Sequence, residues 1–265
     1  MGPPLDEFVE VRGARLRVRT AGEGPAVLFI HGWAIDLDMW TPQFAALARR
    51  YRLIAFDRRG FGYSSGSASI DHDLADIEQL LVKLGVDSIA IVGMSQGARV
   101  ALRWAMYAPR ATTSLILDGP PQDLLAMGRP QGEIALATYR ELVREEGIDA
   151  FRRHWMEHPL MRLYTTHPRA HALLREMVGR YPGNDLVDDA MRPDMPILII
   201  NGEHDTQTRI GAGADLARAL PHAQLAIIPE AGHLSNLDNP GAYNQALDQF
   251  LAASHRQHRS TCHAE

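Results

Sequence analysis

The sequence predicts an α/β fold: a mostly parallel sheet with helices on both faces and an inserted helical cap. Three observations predict it. Short apolar runs alternate with helical stretches up to about residue 120 and again from about residue 195. That alternation is the signature of a parallel sheet covered by helices. Two strands close together at the N-terminus supply an antiparallel edge, and the block between the two alternating regions reads as helix without a convincing strand.

Residues 7–11 and 15–18 read as strands around a turn at Gly13. Ala26 to Ile30 is a short apolar run, as a buried strand should be. Thr41 and Pro42 form a cap and first-turn proline for a helix reaching about Arg50. Leu53 to Phe56 is a strand, and Asp71 opens a helix that Gly85 stops. Ser88 to Val92 is a strand, Gln96 to Tyr107 a helix, and Ser114 to Leu117 a strand. Pro120 and Pro121 then break the alternation. It resumes with the strand Ile197 to Ile200, a helix from Ile210 to Leu220, the strand Gln224 to Ile228, and a helix from Pro240 to about Ala253. The expected division is a core of residues 1–120 and 195–254, a helical cap of 121–194, and a flexible tail of 255–265.

The chain has 265 residues, 46% of them hydrophobic and 22% charged, with a formal charge of -5. Such a composition belongs to a globular chain with a full core. It argues against a general phosphate-binding surface, so no nucleic acid partner is expected. No apolar run reaches the about 18 residues needed to span a bilayer, so no membrane partner is expected either. Met1 to Glu10 carries Asp6, Glu7 and Glu10 and lacks an apolar core segment, so no secretory signal is expected. The single cysteine, Cys262, excludes an intramolecular disulfide, and the cytoplasm is the expected compartment. A homo-oligomer is left open.

Gly93-Met94-Ser95-Gln96-Gly97 matches G-x-S-x-G between a strand and a helix. That context gives the motif its chemistry: a serine on a sharp strand-to-helix turn is exposed in strained geometry above a helix N-terminus. A serine hydroxyl is a weak nucleophile and needs a base with an orienting partner. Of twelve histidines, His233 has the best context, because it follows a strand and the turn Pro229-Glu230-Ala231-Gly232. Asp205 follows the strand Ile197 to Ile200 and so shares that carboxyl edge. Asp118, which ends the strand Ser114 to Leu117, competes as the acid. Glu203 and His204 read as loop-shaping or solvated. The expected oxyanion donors are the backbone N–H groups of Gln96 and of Trp33 in His31-Gly32-Trp33-Ala34, with His31 structural.

Together these residues resemble the α/β-hydrolase superfamily over residues 7–253. The order Ser95, Asp205, His233 is that of the family, although some members carry the acid at the position of Asp118. His31 to Trp40 resembles bacterial aryl esterases and cofactor-free haloperoxidases. His233-Leu234-Ser235-Asn236 resembles enol-lactone hydrolases. The resemblance implies ester or lactone cleavage through an acyl-enzyme on Ser95, with no cofactor. The family segment Asp57 to Ser64 includes Arg58 and Arg59, read as structural.

Departures narrow the reading. Serine at 95 argues against the family's dehalogenase and epoxide hydrolase chemistry, and Met94 and Gln96 differ from the flanks in proline iminopeptidases. Leu234 stands where ring-cleavage carbon–carbon hydrolases usually carry Trp. Three rivals nevertheless stay open: such a carbon–carbon hydrolase, a cofactor-free perhydrolase or lyase, and a non-catalytic ligand receptor. The first needs a cation for an acid tail, for which Arg152, Arg153 and Arg162 are candidates.

The expected cap holds Met127, Met156, Met161, Met177 and Met191 with Phe151, Trp155, Tyr164 and Tyr181. These read chiefly as the cap's own core and, beyond that, as an adaptable apolar pocket. His154 with His158, and His167 with His171, are spaced for a metal. Neither pair has the Glu of H-E-x-x-H, so no metal is expected.

Overall fold

A computed structural model describes residues 5–122, 124, 139, 142–143, 145–181, 195–220 and 222–262. Eight strands form one sheet: β1 (Leu5–Val11), β2 (Ala14–Ala21), β3 (Ala26–Ile30), β4 (Arg52–Phe56), β5 (Ile89–Met94), β6 (Thr112–Asp118), β7 (Ile197–Gly202) and β8 (Ala223–Ile228). Their spatial order is β1-β2-β4-β3-β5-β6-β7-β8. β2 pairs antiparallel with both β1 and β4, and every other pairing is parallel. The interior strands β5 and β7 are buried throughout, which is why Ile89–Val92 and Ile197–Ile200 read as unbroken apolar runs.

The α-helices with described bounds are α1 (Thr41–Leu47), α2 (Ile70–Leu84), α3 (Gln96–Tyr107), α4 (Ile148–Glu157), α5 (Pro168–Arg180), α6 (Gln207–Ala219), α7 (Ser235–Asp238) and α8 (Pro240–Cys262). α3 lies against β3, β5 and β6, α6 against β7 and β8, and α8 against α1, β6 and β8. α4 and α5 occupy the block between β6 and β7, and no strand occurs there among the described residues. Met127 and Met191 lie outside the described residues; Met161 and Met177 are buried.

The last helix, expected to end at about Ala253, instead runs on through Cys262 as α8. Ser254 to Cys262 contains neither Gly nor Pro, and the Ser254 hydroxyl donates to the Phe250 carbonyl at 3.0 Å, so nothing stops the helix.

The strand order locates the site. From β3 the chain moves to β4 on one side, then returns to β5 on the other. The loops after β3 and β5 therefore diverge at their carboxyl ends and leave a crevice between them. The first carries Trp33 and the second Ser95.

Candidate active site

Ser95 has φ 53 and ψ -112, a left-handed backbone that a side-chain-bearing residue adopts only under constraint. Its neighbours impose it. The Ser95 N–H donates to the Asp118 carbonyl at 2.8 Å, and α3 begins at the next residue. Gly97 lets α3 approach the end of β3, since a Cβ there would strike the Ile30 carbonyl and lie 2.6 Å from the His31 carbonyl oxygen. Gly32 lies on the residue before the serine: a Cβ on it would stand 2.8 Å from Met94 Sδ. The loop holding Trp33 is thereby seated beside the turn holding Ser95 and Gln96.

His233 and Asp205 come together from the loops after β8 and β7. Nδ1 of His233 donates to Oδ2 of Asp205 at 2.9 Å, and both side chains are buried. That bond assigns the proton to Nδ1 and leaves Nε2 with a free lone pair. Burial opposes ionisation of Asp205, but His233, the Thr206 N–H at 2.7 Å and the charge of Arg209 outweigh it and hold the carboxyl below its ordinary range. The imidazole lies over Gly119, where a Cβ would be 2.7 Å from Cε1. Gly119 directly follows Asp118, the residue that pairs with Met94 and whose carbonyl receives the Ser95 N–H. The ring thus stands one residue along from the strand end that anchors the serine.

Asp118 is not the partner of His233. Its Oδ1 accepts from the Ser235 hydroxyl at 3.3 Å, and it faces Tyr243 and Asp205. Burial and the Asp205 charge push its pKa up to about 8, so it is a neutral acid at pH 7. Glu203 accepts from the Glu230 N–H at 3.0 Å and His204 lies against the Tyr164 ring at 4.6 Å; both are exposed. His31 is neutral, its pKa lowered to about 3 by burial and by Arg58. Its Nδ1 donates to the Gly32 carbonyl at 2.8 Å and its Nε2 accepts the Arg58 N–H at 3.0 Å, a structural role.

Arg58 and Arg59 pair with Asp73 and Asp76 of α2 and tie the loop after β4 to that helix. The structure adds a contact that sequence reasoning missed: Arg58 Nη1 donates to Gln96 Oε1 at 2.8 Å. Arg209 and Asp238 were missed as well. Arg209 Nη1 donates to the Gly119 carbonyl at 2.7 Å beneath the imidazole. Asp238 accepts from Gly232 N–H at 2.8 Å and from Tyr164 N–H at 2.7 Å, joining the His233 loop to the inserted block. The only sequence signal for either was a charged residue in a helix that faces the core.

Three of the four histidines spaced for a metal bond backbone groups instead, and His154 is exposed. His158 and His167 accept the N–H groups of Leu160 and Arg169, and His171 bonds the Thr165 carbonyl. No group of three or more metal-ligating side chains occurs among the described residues. Arg152 donates to the Tyr181 carbonyl at 2.9 Å, Arg162 lies over the Tyr164 ring, and Arg153 is exposed. No helix among the described residues is long and apolar enough to cross a membrane.

A mostly parallel eight-stranded sheet with a strained serine after β5, and an acid and a histidine after β7 and β8, defines the α/β-hydrolase architecture. The chain belongs to that family: residues 25–194 match the model described as alpha/beta hydrolase fold, and residues 179–262 match one described as TAP-like protein. It is 24% identical, over 89% of its length and 99% of the relative's, to a pimeloyl-[acyl-carrier protein] methyl ester esterase of Nitrosomonas europaea. A thermophilic esterase from Thermogutta terrifontis superposes with a TM-score of 0.78 at 27% identity, covering 96% of this chain and 100% of the other. The enol-lactonase of Burkholderia xenovorans gives the same TM-score, 0.78, at 23% identity, covering 93% and 100%, a likeness of fold. Esterase and enol-lactonase are the relatives that the His31 and His233 segments resembled.

Proposed function

We propose that the protein hydrolyses a carboxylic ester or a lactone through an acyl-enzyme on Ser95. The observation that carries this reading is the His233–Asp205 hydrogen bond of 2.9 Å above Gly119, beside the strand end that anchors a serine at φ 53. The esterase relatives support it.

Ser95 Oγ attacks the carbonyl carbon as Nε2 of His233 takes its proton. The carbonyl electron pair moves to oxygen, which the N–H groups of Trp33 and Gln96 receive. Asp205 stays ionised and stabilises the imidazolium. Collapse expels the alkoxide, which leaves as the alcohol after taking the proton from Nε2; in a lactone it remains tethered. Water then attacks the acyl-enzyme, giving its proton to Nε2, and the Ser95 oxygen regains it as the acid departs. The helices α4 and α5 act as a cap over this chemistry, and the partner is a small-molecule ester or lactone.

A fluorophosphonate should label the wild-type chain once, at Ser95, and leave Ser95→Ala unlabelled. A panel of p-nitrophenyl esters and lactones should be turned over by the wild type, with a loss of about 10⁴- to 10⁶-fold in the variant. An unlabelled wild type without turnover would instead favour a ligand receptor on this scaffold.

A further inference from the structure

The C-terminal end of α5 is clamped to the loop that carries Trp33. Arg180, the last residue of α5, donates from Nε to Asp36 Oδ2 and from Nη2 to Asp38 Oδ2, both at 2.6 Å. Asp36 is completely buried and lies three residues beyond Trp33; its other oxygen accepts the Asp38 N–H at 3.0 Å. The next residue, Tyr181, sets its ring 5.6 Å from the Trp33 ring and 5.3 Å from that of Phe61. Arg152 of α4 holds the Tyr181 carbonyl. Trp33 also meets Phe151 at 5.1 Å and Trp155 at 4.8 Å, so the inserted helices hold this loop through both rings and charges.

We infer that Arg180 is a positioning residue: by bridging Asp36 and Asp38 it ties the inserted helices to the Trp33 loop and holds the Trp33 N–H where the oxyanion forms. This rests on the hydrolase reading above.

The electrostatics make Arg180 more than a packing element. Four carboxyl groups meet here: Asp6 from β1, Asp36 and Asp38 from the loop after β3, and Asp57 from the loop after β4. Three guanidinium groups face them, Arg17 and Arg19 from β2 and Arg180 from α5, and Tyr63 lies between Arg17 and Arg180. Asp57 accepts the Leu37 and Tyr63 N–H groups, and burial beside Asp36 pushes its pKa up to about 7. Losing Arg180 leaves four acids facing two cations. At low pH Asp57 escapes the repulsion by taking up a proton, and the carboxyl of Asp36, raised by burial, is shifted in the same direction. At high pH they do not, and the loop must move.

The test is turnover of a p-nitrophenyl ester by Arg180→Met and Arg180→Lys at pH 6 and pH 9, beside fluorophosphonate labelling. Arg180→Met should lose about tenfold or more in kcat with KM within about threefold, since an oxyanion donor acts on the transition state. Its deficit against wild type should be deeper at pH 9 than at pH 6. Arg180→Lys keeps the charge without the two-pronged geometry, so it should recover only part of the activity, with kcat about threefold or more below wild type, and lose the pH dependence. Wild-type kcat in the Met variant, a loss in KM alone, or an equal deficit at both pH values would overturn the proposal. Should the Met variant not fold, the Lys variant decides: a deficit in KM alone overturns, and a kcat deficit of about threefold or more supports. A wild type that neither takes the label nor turns over ester sinks the hydrolase reading instead, a result that no Arg180 variant can produce.

Discussion

Gly119 lies directly under the imidazole of His233, so close that a methyl group at its Cα would stand 2.8 Å from Nδ1. The glycine also has φ 51, a left-handed conformation that disfavours any Cβ. Arg209 fixes its carbonyl from below. Gly119→Ala should therefore push the ring away from its place against Asp205. Steady-state kinetics should show kcat/KM falling by about 10²-fold, the usual scale for a displacement of about 1 Å. Unchanged kinetics would mean that the ring has room to spare.

The two candidate acids separate by charge state. Asp205 is held ionised against His233, whereas Asp118 is buried and neutral. Asp205→Asn should cost about 10⁴-fold in kcat, because an amide cannot stabilise the imidazolium or select its tautomer. Asp118→Asn, which resembles the protonated acid, should stay within about tenfold of wild type. The reverse ranking would move the acid to β6.

Asp118 also sets a pH dependence of stability. Its folded pKa of about 8 exceeds the ordinary carboxylate value of 3.8, so the folded chain holds a proton that the unfolded chain releases. Stability from this group is therefore lost progressively as pH rises from about 4 to about 8, and the loss levels off above that. Asp118→Asn should flatten the slope. In thermal melts its gain over wild type should be smallest near pH 4 and grow toward pH 8.

Arg58 supports stability and site at once. Its guanidinium is completely buried against Asp73, which is 1% exposed, and it also holds the Gln96 side chain. Arg58→Met strands a buried carboxylate, which typically costs about 3–5 kcal/mol. Urea denaturation should show the loss. Asp73→Asn combined with Arg58→Met should recover part of it, since the stranded charge is then gone.

The candidate site was legible in the sequence where chemistry and strand order coincide. G-x-S-x-G between an apolar run and a helix marked Ser95, and the two later strand ends marked Asp205 and His233. The sheet was legible because buried strands must be apolar without interruption, a local property of the chain. α8 was cut short because polar residues past Ala253 read as frayed, although nothing among them breaks a helix.

What the sequence determined by itself is the set of candidate reactive groups and the edge of the sheet on which they stand. Both follow from patterns a few residues long: an apolar run, a turn and the residue after it. The tertiary structure decided which carboxylate faces the imidazole, which arginine holds Gln96, and that Arg180 grips Asp36 across 144 positions of chain. Those pairings depend on how twisted strands and packed helices converge. The direction in which a buried charge finds its counter-charge leaves no trace in the residues beside it.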